Sequence, residues 1–201
     1  LLEGRDAIVT GGGAGIGGAV SEAFLAHGAA VLAVDLDGEA LAALRERVGS
    51  ADLQTLELDV TAVGTAELIA AAAPEADVLV NNVGHFLRPP TLFAAEDAPA
   101  WEAQRAINLE HVLALTRAVL PGMIERGRGG SVVNLTTVEA FRGIPGHAVY
   151  SAYKAAVVAF GRSLALEVGE HGIRVNDIAP DVVETPQLPY EDWVEESERW
   201  R

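Results

Sequence analysis

Short apolar segments alternate along the chain with longer Ala-rich segments in which apolar residues recur at helical spacing. We predict strands at 7–10, 30–35, 53–60, 78–81, 131–135 and 174–178. We predict helices at 19–27, 39–48, 65–73, 101–125 and 150–171. Segments such as 31–34 and 78–80 are continuously apolar, which is typical of parallel strands covered by helices on both faces. The pattern therefore predicts an α/β protein with a doubly wound parallel sheet.

The composition is typical of one folded domain and disfavours nucleic acid and membranes as partners. Half of the 201 residues are hydrophobic, so we expect one domain over 1–201. The net charge of −15 repels nucleic acid and anionic membrane surfaces. No apolar run approaches the ~18 residues of a membrane span, and the start of the sequence lacks a signal-peptide pattern, so we expect a cytoplasmic protein. The chain has no cysteine and its histidines lack ligand spacing, so we expect no metal site and expect the histidines, His111 included, to lie on the surface or in loops.

A glycine-rich turn follows the first predicted strand and leads directly into a helix. Residues 10–17 read TGGGAGIG, and glycines let the backbone approach a pyrophosphate closely. The helix start adds free N–H groups and the positive end of its dipole. A glycine run alone also fits a merely flexible turn, but its place between strand and helix predicts a Rossmann-like dinucleotide site. The candidate residues here are Gly11, Gly13, Gly15, Ile16 and Gly17.

An acidic residue, Asp35, ends the second predicted strand about 20 residues beyond the glycine turn. A carboxylate at this spacing can bind the 2′-hydroxyl of an adenosine ribose and repel the extra phosphate of NADP. Its neighbours Ala14 and Leu36 are not basic, and Leu36 is a further candidate contact. We therefore expect NAD as the cofactor. The alternative is that Asp35 is an acid at a strand end that contacts only solvent.

Five features, of which the glycine turn is the first, occur in the order typical of one protein family. The glycine turn 10–17 is followed by the Asn-Asn-Val-Gly segment 81–84, by Asn108, by Tyr-Ser-Ala-Tyr-Lys at 150–154 and by the segment 176–185 with Pro and Thr. In this order and spacing the sequence resembles the short-chain dehydrogenase/reductase family, in its small soluble form. The resemblance covers nearly the whole chain. It implies an oxidoreductase that uses a nicotinamide dinucleotide.

The pair Tyr150 and Lys154 can carry acid–base chemistry whatever the family. Residues four apart share one face of a helix. A nearby ammonium favours phenolate and lowers the pKa of a tyrosine, which could then exchange a proton with an alcohol. A structural tyrosine beside a solvated lysine is the alternative. Tyr153 points to another side of the helix, and we assign it a packing role.

The resemblance implies roles for further residues. Thr137 lies thirteen residues before Tyr150, where the family has a serine that holds the substrate oxygen, and Thr136 is the alternative. Asn108 is expected to kink its helix and hold a water in a proton relay to Lys154, which would also bind the nicotinamide ribose. The remaining expected cofactor contacts are Asp59, Val60, Asn82, Val83, Gly84, Pro180, Val183 and Thr185.

Two further departures from the family pattern are visible, besides the threonine at position 137. Asp181 stands where the family has glycine, and we expect its side chain to point to solvent. The family's chain continues into a further strand, which we expect to be missing here, so that 186–201 would form part of a substrate loop. Substrate choice is expected to depend on that loop and on Glu139, Phe141 and His147. Phe141, Val149 and Trp193 are candidates for an apolar substrate site, and packing in the core or on the surface fits them equally well.

The leading hypothesis is an enzyme that transfers a hydride between NAD(H) and a small secondary alcohol or ketone. Family members often form dimers or tetramers, so we expect a homo-oligomer. A non-catalytic dinucleotide-binding module is the alternative from another class. An NADPH-dependent reductase of ketones or acyl groups is the third reading, and Asp35 argues against it.

Overall fold

The computed structural model describes residues 1–186 and 188, and in this part of the chain strands and helices alternate. The strands are β1 (Asp6–Thr10), β2 (Ala30–Asp35), β3 (Leu53–Glu57), β4 (Val78–Asn81), β5 (Gly130–Leu135) and β6 (Ile173–Ile178). The helices are α1 (Gly15–Ala26), α2 (Gly38–Val48), α3 (Thr65–Ala72), α4 (Ala98–Arg105), α5 (His111–Arg126) and α6 (Ala148–Val168). The predicted α/β class is confirmed.

All neighbouring strands pair in parallel, in the order β3-β2-β1-β4-β5-β6. The chain builds outwards from β1 on one side and then crosses over to β4 on the other. This is the doubly wound Rossmann-like order, which leaves a crevice at the carboxyl ends of β1 and β4, where the direction of winding reverses. Among the described residues, no helix is long and apolar enough to span a membrane.

Two apolar clusters cover the two faces of the sheet. Ile8 and Val9 are adjacent in β1 and both fully buried, yet Ile8 packs into one cluster and Val9 into the other. Leu79 and Val80 divide in the same way in β4. Successive side chains of a strand point to opposite faces, so continuous apolarity is explained by helices on both sides. Each such side chain contributes about 1.5–3 kcal/mol by leaving water.

Several element boundaries differ from the predictions, and three of these differences bear on the site or on the sheet that carries it. Helix α1 begins at Gly15 rather than at 19, because its first turn is built from the glycine-rich segment itself. Strand β3 ends at Glu57 rather than at 60. The predicted helix 101–125 is divided, since a wide π-helical turn, Ala106–Glu110, separates α4 from α5.

The glycine turn packs directly against the first turn of α1. The Ser21 hydroxyl lies 3.1 and 3.0 Å from the Gly12 and Gly17 carbonyl oxygens, which share its one donated hydrogen bond, and this contact ties the helix to the turn. A Cβ atom on Gly17 would lie 2.0 Å from the Gly11 carbonyl oxygen and 2.6 Å from Asn82 Nδ2. Only glycine therefore fits at position 17 without moving the backbone.

Gly17→Ala is expected to lower the free energy of unfolding by about 1–3 kcal/mol, because the added methyl overpacks a rigid backbone contact. Gly169→Ala is the matched control, since position 169 has helical φ and ψ and open space around a Cβ. It should leave stability unchanged or raise it by about 0.4–1 kcal/mol. Urea unfolding of both variants measures the difference, and equal midpoints would contradict the packing argument.

Candidate active site

One cavity of about 920 Å³ opens at the carboxyl ends of the strands. This is the size range of pockets that take small molecules and cofactors. Most of the predicted site residues line it, namely Gly11, Gly15, Ile16, Asp35, Leu36, Asp59, Val60, Asn82, Val83, Gly84, Thr137, Tyr150, Lys154, Pro180, Val183 and Thr185. Gly13, Gly17 and Asn108 are not part of the cavity wall. They instead contact residues of the wall: Gly17 packs on Gly11, Gly13 donates to Asp35, and Asn108 bonds to His85.

The first half of the cavity has the features of a dinucleotide site. The first turn of α1 faces it with Gly15 and Ile16, where helix N–H groups are free to bind phosphate. A Cβ on Gly15 would lie 3.4 Å from the Thr185 side chain, so the segment after β6 lies close over the glycine turn. Close backbone approach and a helix N-terminus fit the pyrophosphate of a dinucleotide.

Two backbone N–H groups fix the orientation of Asp35 at the far end of this half. Its Oδ2 accepts from the Gly13 N–H at 3.0 Å, and its Oδ1 accepts from the Asp37 N–H at 3.1 Å. Gly13 therefore serves Asp35 rather than facing the cavity. Asp37, which sequence reasoning did not single out, caps α2 and adds a second acid beside Leu36. The carboxylates give this end of the cavity a negative charge.

Hydrogen bonds lock the carboxyl ends of β1 and β4 together. The Thr10 hydroxyl donates to the Val80 carbonyl at 3.3 Å and accepts from the Asn82 N–H at 3.0 Å. Asn82 Nδ2 donates to the Thr10 carbonyl at 2.9 Å. The Asn82 side chain thereby holds the glycine turn against the next wall of the cavity, where Val83 and Gly84 follow.

Tyr150 and Lys154 lie on one face of α6, as predicted, in the second half of the cavity. Lys154 Nζ donates to the Leu135 carbonyl at 2.9 Å, and only 3% of the residue is exposed. Burial lowers the pKa of Lys154 to about 8. A Cβ on Gly84 would lie 2.4 Å from Nζ, so glycine at 84 makes the room that the lysine occupies.

The expected lowering of the Tyr150 pKa by Lys154 is wrong for this structure. Burial raises the pKa of Tyr150 to about 12, the negative charge of Glu139 adds to this, and a hydrogen bond with Thr137 opposes it. The ammonium of Lys154 is directed at the Leu135 carbonyl, so desolvation decides the pKa of the phenol. At neutral pH Tyr150 is therefore a proton donor.

The structure distinguishes between the two candidate threonines. Thr136 donates its hydroxyl to the Ile178 carbonyl at 3.1 Å, a contact that ties the ends of β5 and β6 together. Thr137 instead hydrogen-bonds with Tyr150 and donates to the Glu139 carboxylate. Of the two threonines, Thr137 is therefore the one whose hydroxyl lies beside Tyr150 in the cavity.

Asn108 lies in the π-helical turn, where the sequence analysis expected a kink, and is fully buried. Its Nδ2 donates to the His85 carbonyl at 2.8 Å and to Gln104 Oε1 at 2.7 Å, while its Oδ1 accepts from the His85 N–H at 3.0 Å. These contacts fasten the loop after β4 to the helix. The expected water relay to Lys154 stays a prediction.

Sequence reasoning missed an aromatic group beside Tyr150. Phe86 lies 6.5 Å from the Tyr150 ring, edge to face, and stacks on His147 at 5.6 Å, measured between ring centroids. Its place just after the segment 81–84 was the available signal. Phe141 is 60% exposed and, like Val149, is not among the residues that line the cavity, which favours packing outside the substrate site for both.

Three further expectations concern charged or terminal residues. Asp181 is about half exposed, near the solvent as predicted, but it also accepts from Arg142 Nη2 at 2.7 Å. His111 was read as a surface residue, which is wrong: it is 3% exposed, and burial lowers its pKa to about 4. Trp193 and nearly all of the loop expected at 186–201 lie outside the described residues.

Known proteins are similar to this chain in sequence and in fold. The sequence profile of the short chain dehydrogenase family matches residues 5–192. The chain is 38% identical over 188 residues to the 2-keto-3-deoxy-L-fuconate dehydrogenase of Xanthomonas campestris, a match that covers 93% of this chain and 61% of that protein. It is 35% identical over 205 aligned positions to the D-threitol dehydrogenase of Mycolicibacterium smegmatis, a match that covers 96% of this chain and 75% of that protein.

A solved structure agrees over the same span. The 3-ketoacyl-(acyl-carrier-protein) reductase from Brucella melitensis, crystallised with NADH, superposes with a TM-score of 0.85 at 27% identity, covering 93% of this chain and 79% of that one. The chain thus spans about three fifths to four fifths of the proteins it matches. Profile, relatives and fold agree, and the chain belongs to the short-chain dehydrogenase family of oxidoreductases.

Proposed function

We propose that this chain, folded as one domain over 1–201, transfers a hydride between NAD(H) and a secondary alcohol or ketone. The observation that supports this most directly is the placement of Thr137, Tyr150 and Lys154 around one end of the cavity whose other end holds Asp35 and the glycine turn. Acid–base groups and a dinucleotide site thus share one space. The relatives named as dehydrogenases of a sugar acid and of a sugar alcohol support the same reaction class.

The residues of the chain handle the proton. In oxidation the alcohol O–H gives its proton to the Tyr150 oxygen as the C–H hydride leaves, and a ketone remains; in reduction the Tyr150 O–H returns the proton to the oxygen. Thr137 holds the reacting oxygen near Tyr150, and Lys154 would hold the nicotinamide ribose. When bound, the oxidised cofactor accepts the hydride and brings a positive charge that favours the phenolate of Tyr150.

NAD rather than NADP is the cofactor we propose, on the position of Asp35. Its carboxylate is held by Gly13 and Asp37, so it is not free to swing away from a ligand. A phosphate on the ribose would meet this charge and that of Asp37 without a lysine or arginine nearby along the wall formed by Leu36, Asp37 and Ala40.

We further propose that the protein forms a homo-oligomer, either a dimer or a tetramer, and that it is cytoplasmic. Leu113 on α5 and Leu166 on α6 are 37% and 87% exposed, which supports association through these two helices.

Tyr150→Phe is expected to lower the rate of alcohol oxidation by about 10²- to 10⁴-fold, because it removes the proton acceptor. Its dissociation constant for NADH should be unchanged. Tyr153→Phe is the control on the same helix and should keep full activity. Steady-state rates and fluorescence titration test both variants. Retained turnover in Tyr150→Phe would overturn the proposed role, whereas NADH binding without any turnover in the native protein would favour the non-catalytic module.

NADH is expected to bind more tightly than NADPH by about tenfold or more, because Asp35 repels the additional phosphate. Asp35→Ser should reduce this preference, mainly by improving NADPH binding. Asp52→Ser, a change at an exposed position outside the cavity, should leave the preference as it is. Fluorescence titration with both nucleotides gives the two constants. Tighter NADPH binding by the native protein would show that Asp35 does not select the cofactor.

Alcohol oxidation is expected to accelerate by up to tenfold per pH unit between about pH 6 and 8, because the phenolate of Tyr150 is scarce well below its pKa. The pKa is raised to about 12 by burial and by Glu139. Removing the charge in Glu139→Gln should lower that pKa and move the rising limb to lower pH. Initial rates across this range in both proteins, with Glu170→Gln as control, check the direction. A shift to higher pH would contradict it.

A further inference from the structure

The hydroxyl of Thr137 has one proton, and two groups compete for it. In the structure it donates to the Glu139 carboxylate. The same hydroxyl hydrogen-bonds with Tyr150 at the place where the proposed reaction needs a donor to the substrate oxygen. A threonine hydroxyl can donate only once, although it can accept twice. While the Thr137 hydroxyl donates its hydrogen bond to Glu139, it cannot donate to a reacting oxygen.

Glu139 is itself confined to the cavity wall. Its side chain is only 16% exposed, and its cationic neighbour is Arg142, at 3.6 Å. Arg142 is shared, since Asp181 holds it at the shorter distance of 2.7 Å. A carboxylate largely removed from water needs hydrogen-bond donors, and Thr137 supplies one. Another donor must therefore replace Thr137 in its hydrogen bond to Glu139 before Thr137 can donate to the substrate.

We propose that this donor is a hydroxyl group of the substrate on the carbon next to the reacting one, so that the substrates are vicinal diols and their α-hydroxyketones. The inference rests on the proposed hydride-transfer function and adds the substrate class. The two oxygens of a vicinal diol lie roughly one hydrogen-bond length apart, and Thr137 and Glu139 are hydrogen-bonded neighbours, so one substrate can reach both side chains. The neighbouring hydroxyl donates to Glu139, and Thr137 then donates to the reacting oxygen.

A substrate without the neighbouring hydroxyl is at a disadvantage at the same site. It leaves Thr137 donating to Glu139, or it leaves the largely desolvated carboxylate with one hydrogen-bond donor fewer. A hydrogen bond to a charged group typically changes an equilibrium by roughly 10- to 100-fold. Glu139 thus selects substrates without itself taking part in the proton transfer.

The test compares two alcohols on the same ring, cyclohexane-1,2-diol and cyclohexanol, with the full chain and NAD. The native protein is expected to prefer the diol in kcat/KM by about 10- to 100-fold. In Glu139→Ala the preference should shrink to about threefold or less, since the diol loses its acceptor while Thr137 becomes free for cyclohexanol. Any effect of the Glu139 charge on Tyr150 is common to both alcohols and cancels in the ratio.

Two further variants separate selection from a structural role. Glu139→Gln keeps the shape and an acceptor oxygen, so it should retain part of the preference and serves if Glu139→Ala does not fold. Glu170→Gln, on the exposed turn after α6, should keep the native ratio. A merely structural role of the Glu139–Arg142 pair would lower both rates together and leave the ratio unchanged, which would overturn the inference.

A binding measurement keeps the inference separate from the proposed reaction. The change in bound NADH fluorescence on adding each alcohol gives its dissociation constant without turnover. Tighter binding of the diol by the native protein, lost in Glu139→Ala, supports the substrate class even if no oxidation is observed, in which case the proposed reaction fails. Equal constants for the two alcohols would overturn the inference, and NAD-linked oxidation sensitive to Tyr150→Phe would leave the reaction intact.

Discussion

The site depends on the pairing of β1 with both β2 and β4 in one parallel sheet. Because parallel strands end on the same side, this pairing brings the glycine turn, Asp35 and the segment after β4 to one edge. The order of strands reverses here, so the helices that follow β1 and β4 diverge and leave a crevice between them. Thr10 and Asn82 then fix the two strand ends against each other. The cavity exists because of this reversal.

Desolvation controls the chemistry of the groups inside the cavity. Tyr150 and Lys154 are pushed towards their neutral forms by burial, in opposite directions on the pKa scale. Glu139 is the described carboxylate that Thr137 links to this end of the cavity by donating a hydrogen bond to it. The balance among these four side chains decides which oxygen receives a proton. Small changes in contact can therefore change both pH dependence and substrate preference.

The sequence predicted the fold well because its signals are local. Apolar runs of four to six residues, glycines after a strand and an acid about 20 residues later each reflect a constraint within one βαβ unit. Boundaries were less secure where local signals competed, as in the predicted helix 101–125. There Asn108 bonds to the loop after β4 instead of serving the helix alone, and the π-helical turn follows from that distant contact.

The sequence by itself determined the α/β class, the family, and many of the residues that line the cavity between Gly11 and Thr185, although not Asp37 or Phe86. These follow from periodicity and from motifs whose spacing is short along the chain. Only the tertiary structure decided that Thr137 faces Tyr150 while Thr136 does not, that Arg142 and Asp181 pair across 39 positions, and that burial raises the pKa of the phenol. Burial and contact between distant segments depend on the packed chain, and no local pattern encodes them.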